Sequence, residues 1–561
     1  MSMLTFSRGL KERASACERR LGRNLSGTML AQAPSSSAPA VASTVAGRKQ
    51  WVLMTGPIMV RRSDRHLWSC IVCKDFTTRS QFHRAHNWTI PTLPTASPMT
   101  RYIVFLATLL ALRMIAQRGL SQAVLLVWIP IFLAFPFNFA VTIPGLPDPN
   151  LMQAAILPIL VVLLRDKGPL MKFGRMEMLL AIYVAFRVFV DFLGRGYSDA
   201  QNYAFYMLSS LIGPYLIGRY VIDKRQMDIA AARMFVLMFV IFFPMFVYEL
   251  KFWVSPVYKL FSIFFPGAGS GLSVRYGVAR TAGTFEHPIL ACVMIVVVYR
   301  LHRWLTWVGE WDKPQRGWLG WLDQKTRWMR IPLAAKISIL LILMAIMTIS
   351  RGPWIGGLVG AAMTAVGNFK NRKKWLVIFA LALVMGGGAG KMALDAYITP
   401  KEGQVISGEA QTMLYRKEMI DRYKEFMYEK MWTGWGLTTR PKIKGMESID
   451  NAFFLMALQH GLPAMLIFIT IFLYAIISQI KFGLKAPPGE SPLGFTFAGI
   501  YLAAFISFAT VYMGSHTEPM LFLLLGWGES IKNRPETGIT TRSATTPQHS
   551  GSNAPFRRIL Y

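Results

Sequence analysis

Residues 452–478 read AFFLMALQHGLPAMLIFITIFLYAIIS, with no Asp, Glu, Lys or Arg among them. A helix crosses the hydrocarbon core of a bilayer in about 20 residues. Backbone groups there find no water, so only helices and closed barrels satisfy them. This stretch is therefore read as a membrane-spanning helix. Comparable apolar runs lie near 102–118, 123–142, 151–165, 177–194, 202–221, 229–249, 288–305, 334–350, 353–368, 374–392, 494–513 and 517–531. The expected fold is an all-α polytopic membrane protein with about 12–13 transmembrane helices.

Composition agrees. Hydrophobic residues make up 53% of the 561-residue chain and charged residues 16%, whereas a soluble domain carries about 25% charge. The formal net charge of +32 raises nucleic acid as a partner. The basic residues gather in short connections between apolar runs, however, which is a topology signal. The expected surroundings are a lipid bilayer, with no nucleic acid. Four cysteines do not build a disulfide framework in a chain of this length.

Residues 1–98 differ from the rest. They are basic and polar, and Leu30–Gly47 is an Ala/Ser/Pro/Val stretch that cannot form a core. Cys70, Cys73, His83 and His86 suggest zinc, but their spacing does not fit a C2H2 finger. Chance residues in a tail explain them better, and no metal is expected. Membrane-like sequence begins at Met99-Thr-Arg-Tyr-Ile. The expected organisation is a disordered basic extension over 1–98 that is not native, a membrane domain over 99–532 and a cytoplasmic tail over 533–561.

Lys and Arg orient the spans. Arg165, Lys167, Lys172 and Arg175, then Lys224 and Arg225, the Arg/Trp-rich segment 300–330, and Lys370–Lys374 fall in alternate connections and mark the cytoplasmic side. The remaining connections face outward, and two are long: 250–287 and 393–451. In the second, Tyr415, Met419, Tyr423, Phe426 and Lys430 recur at helical spacing. That predicts an amphipathic helix over the membrane face, either a structural lid or part of a site.

Four arginines sit on the outward side, where the topology rule disfavours them: Arg275, Arg280, Arg351 and, beside the apolar stripe of the loop helix, Arg416. A single helix-end arginine often reaches only into head groups. Four together suit a lipid-linked diphosphate, because arginine keeps its charge and grips phosphate with two parallel donors.

The outward segments resemble the O-antigen ligase and O-antigen polymerase superfamily. The resemblance rests on Gly283-Thr-Phe-Glu-His-Pro288, Ser350-Arg-Gly-Pro-Trp354, Arg416 at the start of the loop helix, Gly434-Trp-Gly436, and Asp450-Asn-Ala-Phe-Phe-Leu455 with Gly461-Leu462 behind. It implies a metal-independent, cofactor-free glycosyltransferase of the bacterial inner membrane, active on its outer, periplasmic face. The donor would be an undecaprenyl-diphosphate-linked glycan and the acceptor a glycan or glycolipid hydroxyl. Arg280 and Arg351 would meet the leaving diphosphate, with Arg275 and Arg416 as further binders. A base must take the acceptor's proton. Ligases of this family commonly carry His-Asn where this chain has Asp450-Asn451, which leans toward a surface-polysaccharide polymerase or a related transferase. Asp450 is the candidate base; its other reading is a helix N-cap. Glu286 and His287 are spare candidates, and His287 before Pro288 also suits a turn end.

The competing class is a transporter or flippase of lipid-linked sugars. Arg187, Asp191 and Lys391, in or near spans, support it. Arg187 and Asp191 at i,i+4 also read as a mutually paired structural couple.

Overall fold

The computed structural model describes residues 98–168, 171–265, 273–398, 408–437, 439–446, 448–485 and 493–532. The readings for residues 1–97, among them the Cys/His set, and for the tail over 533–561 lie outside the described residues.

Each predicted span is built on helix. The helices are α1 (Val104–Arg118), α2 (Leu120–Ala134), α3 (Leu151–Lys167), α4 (Arg175–Arg195), α5 (197–220), α6 (Arg225–Phe252), the short α7 (Pro256–Phe261), α8 (Pro288–Trp307), α9 (Gly317–Lys325), α10 (Leu333–Met347), α11 (Arg351–Val366), α12 (Arg372–Ile398), α13 (Gly408–Glu429), α14 (Ala452–Lys485), α15 (Leu493–Phe508) and α16 (Thr517–Lys532). The chain is an all-α membrane protein. Among the described residues α6, α8, α12 and α14 are long and apolar enough to cross a bilayer by length and composition alone, and α2, α10 and α15 are shorter apolar helices. Of the other predicted spans, α1, α3, α11 and α16 are shorter than 18 residues, and α4 carries Glu177, Arg187 and Asp191. α5 contains a π-helical turn at Leu208–Ile212.

Small residues let helices approach closely. A methyl group on Gly356 or Gly360 of α11 would collide with the carbonyls of Ala503 or Gly499 on α15. Gly218 of α5 and Gly526 of α16 face each other's backbone in the same way. Apolar side chains gain little from helix association in lipid, so backbone approach of this kind is what holds such pairs. By contrast, the apolar stretch of α12 is exposed along its length, with Leu381, Val384 and Met385 uncovered, as a lipid-facing surface is.

α14 is broken. Gly461 adopts φ +80 inside it and Pro463 follows. The break separates 452–460 from the longer segment behind it, so the run that announced the fold is two helical pieces. The cause lies in the loop before it. Trp435 and Gly436 donate their backbone N–H to the carbonyls of Leu458 and Gln459, each at 2.8 Å, and Leu462 donates to Met431 at 2.8 Å. A Cβ on Gly461 would lie 2.4 Å from the Trp432 carbonyl oxygen. The Gly434-Trp-Gly436 and Gly461-Leu462 motifs are thus two halves of one backbone joint.

Candidate active site

Segment 273–287 is organised by a hairpin that periodicity did not reveal. Ser273–Arg275 (β1) pairs antiparallel with Val278–Arg280 (β2), Ser273 opposite Arg280. Tyr276 and Gly277 form its turn at φ +55 and +72. Two consecutive residues at positive φ are the two-residue turn that matches strand twist.

The hairpin is tied to the end of α10. That helix leaves carbonyls without intrahelical donors, and the hairpin supplies them. Thr281 N–H donates to Met347 O at 3.2 Å. Arg280 Nε donates to Thr348 O at 3.0 Å, and Arg275 Nη1 to Ile349 O at 3.2 Å. Cations at a helix C-terminus are also favoured by its dipole. Ile349 holds φ +47, a strained state for a β-branched residue that occurs where surroundings enforce it. Arg280 adds Nη bonds to Ser350 Oγ at 2.8 Å and Ser273 Oγ at 3.2 Å. Arg351 opens α11 and donates to the Tyr276 hydroxyl at 2.5 Å. Three of the four predicted arginines therefore surround one connection, 347–351.

Their electrostatics are unusual. Arg280 is 5% exposed, and neither it nor Arg275 forms an ion pair with a carboxylate among the described residues. Burial, then Arg275 and Arg416, push the Arg280 guanidinium down to about 10, with Asp450 opposing. A buried cation beside other cations is costly, and an incoming anion relieves that cost.

The fourth arginine comes from the large loop. α13 is the predicted amphipathic helix: Met419, Tyr423 and Met427 are buried, with Tyr415 and Phe426 packed beside them. It starts at Gly408, so Arg416 lies two turns inside rather than at its start. The cause is local: Glu409, Ala410 and Gln411 are good helix formers and extend the helix before the apolar stripe begins. Tyr415 and Tyr423 hydroxyls donate to the carbonyls of Ser448 and Met446, at 3.0 and 2.9 Å. These bonds hold the strand of chain that carries Asp450 against α13. Arg416 Nη2 lies 3.7 Å from Asp450 Oδ2. Its buried Nε–H meets no acceptor among the described residues.

Asp450 does not cap α14. That bond belongs to Asn451, whose Oδ1 accepts Phe454 N–H at 3.0 Å. Asp450 accepts from Ser448 Oγ at 2.9 Å instead. Ala452 N–H donates to Val511 O at 3.0 Å, which sets this corner against 509–516. Tyr512 of that segment is pushed up to about 12 by burial, then by Glu286 and Asp450. Glu286 accepts a short hydrogen bond from Ser515.

His287 caps α8, its Nδ1 accepting Ile289 N–H at 3.2 Å. Burial, then Arg280, hold its pKa down to about 4, against the opposing pull of Asp450. The ring is neutral at pH 7 with its proton on Nε2. The sequence reading of a turn end is close to this outcome, since the cap closes the turn before Pro288.

Glu249 was not foreseen. It sits in the last turns of α6, 5% exposed, and accepts the backbone N–H groups of Ala282 and Gly283 at 3.0 and 2.7 Å. It fixes the turn between Arg280 and His287. Gly283 needs φ +65 and faces the Phe246 ring too closely for any side chain. An acid at the end of a run whose other charge is Arg233, sixteen residues earlier, was the available signal.

Elsewhere in the membrane domain, Arg187 donates to Tyr183 OH at 2.7 Å and pairs with Glu518 of α16 at 3.2 Å, and Tyr206 also bonds Glu518. Glu518 is the partner missing from the i,i+4 reading of Arg187 with Asp191.

Residues 337–469 match the family described as O-antigen ligase. The matched segment holds Arg351, Arg416, Asp450 and the Gly434/Gly461 joint, while Arg275, Arg280, Glu286 and His287 precede it. No curated protein matches the chain.

Proposed function

We propose, with the O-antigen ligase/polymerase-like superfamily membership of this chain as premise, that it transfers a glycan from undecaprenyl diphosphate to a hydroxyl acceptor on the outer face of a bacterial inner membrane. The family supports glycan transfer of the surface-polysaccharide type. The carrier, the face and the roles below are our reading. The observation that carries it is the gathering of Arg275, Arg280 and Arg351 around 347–351, with Arg416 acting on Arg280 from the loop.

In this reading the diphosphate of the donor lies among the arginines. Asp450 takes the proton of the acceptor hydroxyl as its oxygen attacks the anomeric carbon. The new C–O bond forms, the bond from that carbon to the diphosphate oxygen breaks, and the lipid diphosphate leaves with the bonding pair. Negative charge grows on the leaving oxygens, where fixed guanidinium donors lower the barrier. One preorganised donor of this kind is worth about 10²–10³ in rate. The carboxylate, anchored on one oxygen by Ser448, keeps the other toward Arg416 at a distance too long for a hydrogen bond. His287 Nε2–H donates to a substrate oxygen, and Glu286, fixed by Ser515, binds acceptor hydroxyls.

The test uses purified protein, a lipid-diphosphate glycan, an acceptor and a chelator. Transfer with release of lipid diphosphate supports the reading; movement of intact lipid-linked glycan between leaflets without bond cleavage gives the flippase instead. A deletion strain separates the two transfer types. Single short units on the surface mark a lost polymerase, and long unattached chains mark a lost ligase.

A further inference from the structure

The connection 308–332 between α8 and α10 leaves and re-enters the same end of the bundle, and it is not part of the site above. It is folded, not loose. Glu310 is held by Arg233 at 2.9 Å and Lys313 at 2.5 Å, Asp323 by Lys336 at 2.8 Å, and Trp311 and Leu319 are buried. Its acids are thus largely neutralised from within, with Asp312 remaining at the surface.

What is left outside is cationic and aromatic. Arg316, Lys325, Arg327 and Arg330 are exposed and take part in no ion pair among the described residues. Trp321 is 60% and Trp328 78% exposed. On α9 the buried Leu319 and the exposed Trp321 point to opposite sides, so the aromatic side faces away from the bundle. Exposed tryptophan in water is costly, whereas at the head-group level its flat polar-edged ring is favoured. Arginine and lysine around it supply attraction to negative lipid.

We propose that 316–330 is a docking surface for the head groups of anionic phospholipid in the protein's own bilayer, with the tryptophans seated at the head-group level and the four cations on phosphate. The charge pattern chooses this occupant: the segment's own carboxylates are mostly engaged internally, so its outer face presents cations to a partner that must be negative and must also accept tryptophan.

The test uses the full-length protein in phosphatidylcholine vesicles carrying a trace of phosphatidylglycerol with a photoactivatable head group, and in parallel the same probe on phosphatidylcholine. Labelled peptides are located by mass spectrometry. Peptides from 316–330 should take up the phosphatidylglycerol probe several-fold more than the phosphatidylcholine probe. High salt should erase much of that preference in the unaltered protein, because exposed charges are screened. The variant R316Q/K325Q/R327Q/R330Q should label with both probes alike. Equal labelling by the two probes in the unaltered protein overturns the proposal, as does a preference that survives both salt and the charge substitutions.

Discussion

Arg280 Nε donates to Thr348 O at 3.0 Å, and with the bonds of Thr281 and Arg275 it fastens the hairpin to the helix end beside Arg351. The same guanidinium therefore holds the site together and supplies its most buried positive charge. The two roles separate by substitution. Arg280→Lys keeps the charge but cannot reach Thr348, Ser350 and Ser273 together. Arg280→Ala should lower transfer by about 10²–10³ and also lower the melting temperature. Arg280→Lys should recover part of the rate and little of the stability. Steady-state transfer and thermal unfolding in detergent read the two effects.

Asp450 gives a cleaner chemical test, because Asn451 carries the cap. Asp450→Asn should leave folding intact and cut kcat by about 10²–10⁴, the range of general-base catalysis, with KM little changed. Asn451→Ala should do the reverse, costing about 1 kcal/mol of stability with a modest loss of rate. If the Asp450→Asn variant turns over normally, the base lies elsewhere.

His287 makes a pH prediction. Its pKa in the folded protein, about 4, lies below the ordinary 6.5, so the unfolded chain binds the proton first as pH falls. The stability His287 contributes is complete above about pH 6.5 and is lost progressively toward pH 4. His287→Asn retains a good cap and removes the titration. The variant's melting temperature should fall less steeply between pH 6.5 and 4 than that of the unaltered protein.

The backbone joint predicts a structural phenotype. Gly461→Ala forces a side chain at φ +80 and within 2.4 Å of Trp432 O. The loop should detach from α14, and limited proteolysis should open between 430 and 446 before the bundle unfolds. Transfer should fall with it, since Arg416 and Asp450 sit on that loop.

Much of the architecture was legible because lipid imposes a severe rule. A run such as 452–478 has few alternatives, and each predicted run is built on helix. Arg275, Arg280 and Arg351, singled out in the sequence as exceptions to charge bias, gather around 347–351. Local pattern could not show what pairs across the chain. The hairpin strands are three residues each, too short for alternation to register. Glu249 reaches backbone groups more than thirty residues ahead, and Arg187 finds Glu518 from the far end of the sequence. Asp450 and Asn451 are adjacent, and only coordinates show which one caps. The Gly461 break was hidden because Gly and Pro are common within membrane helices.

The central claim is that the arginines hold the leaving diphosphate, and product inhibition measures this most directly. Undecaprenyl diphosphate and undecaprenyl monophosphate differ by one charged phosphoryl group, so their inhibition constants are compared in the unaltered protein and in the variant R275Q/R351Q. The unaltered protein should bind the diphosphate at least tenfold more tightly, about 1.4 kcal/mol, and the variant should lose most of that preference while still binding the monophosphate. Equal inhibition by the two lipids in the unaltered protein, or an undiminished diphosphate preference in the variant, would contradict the account.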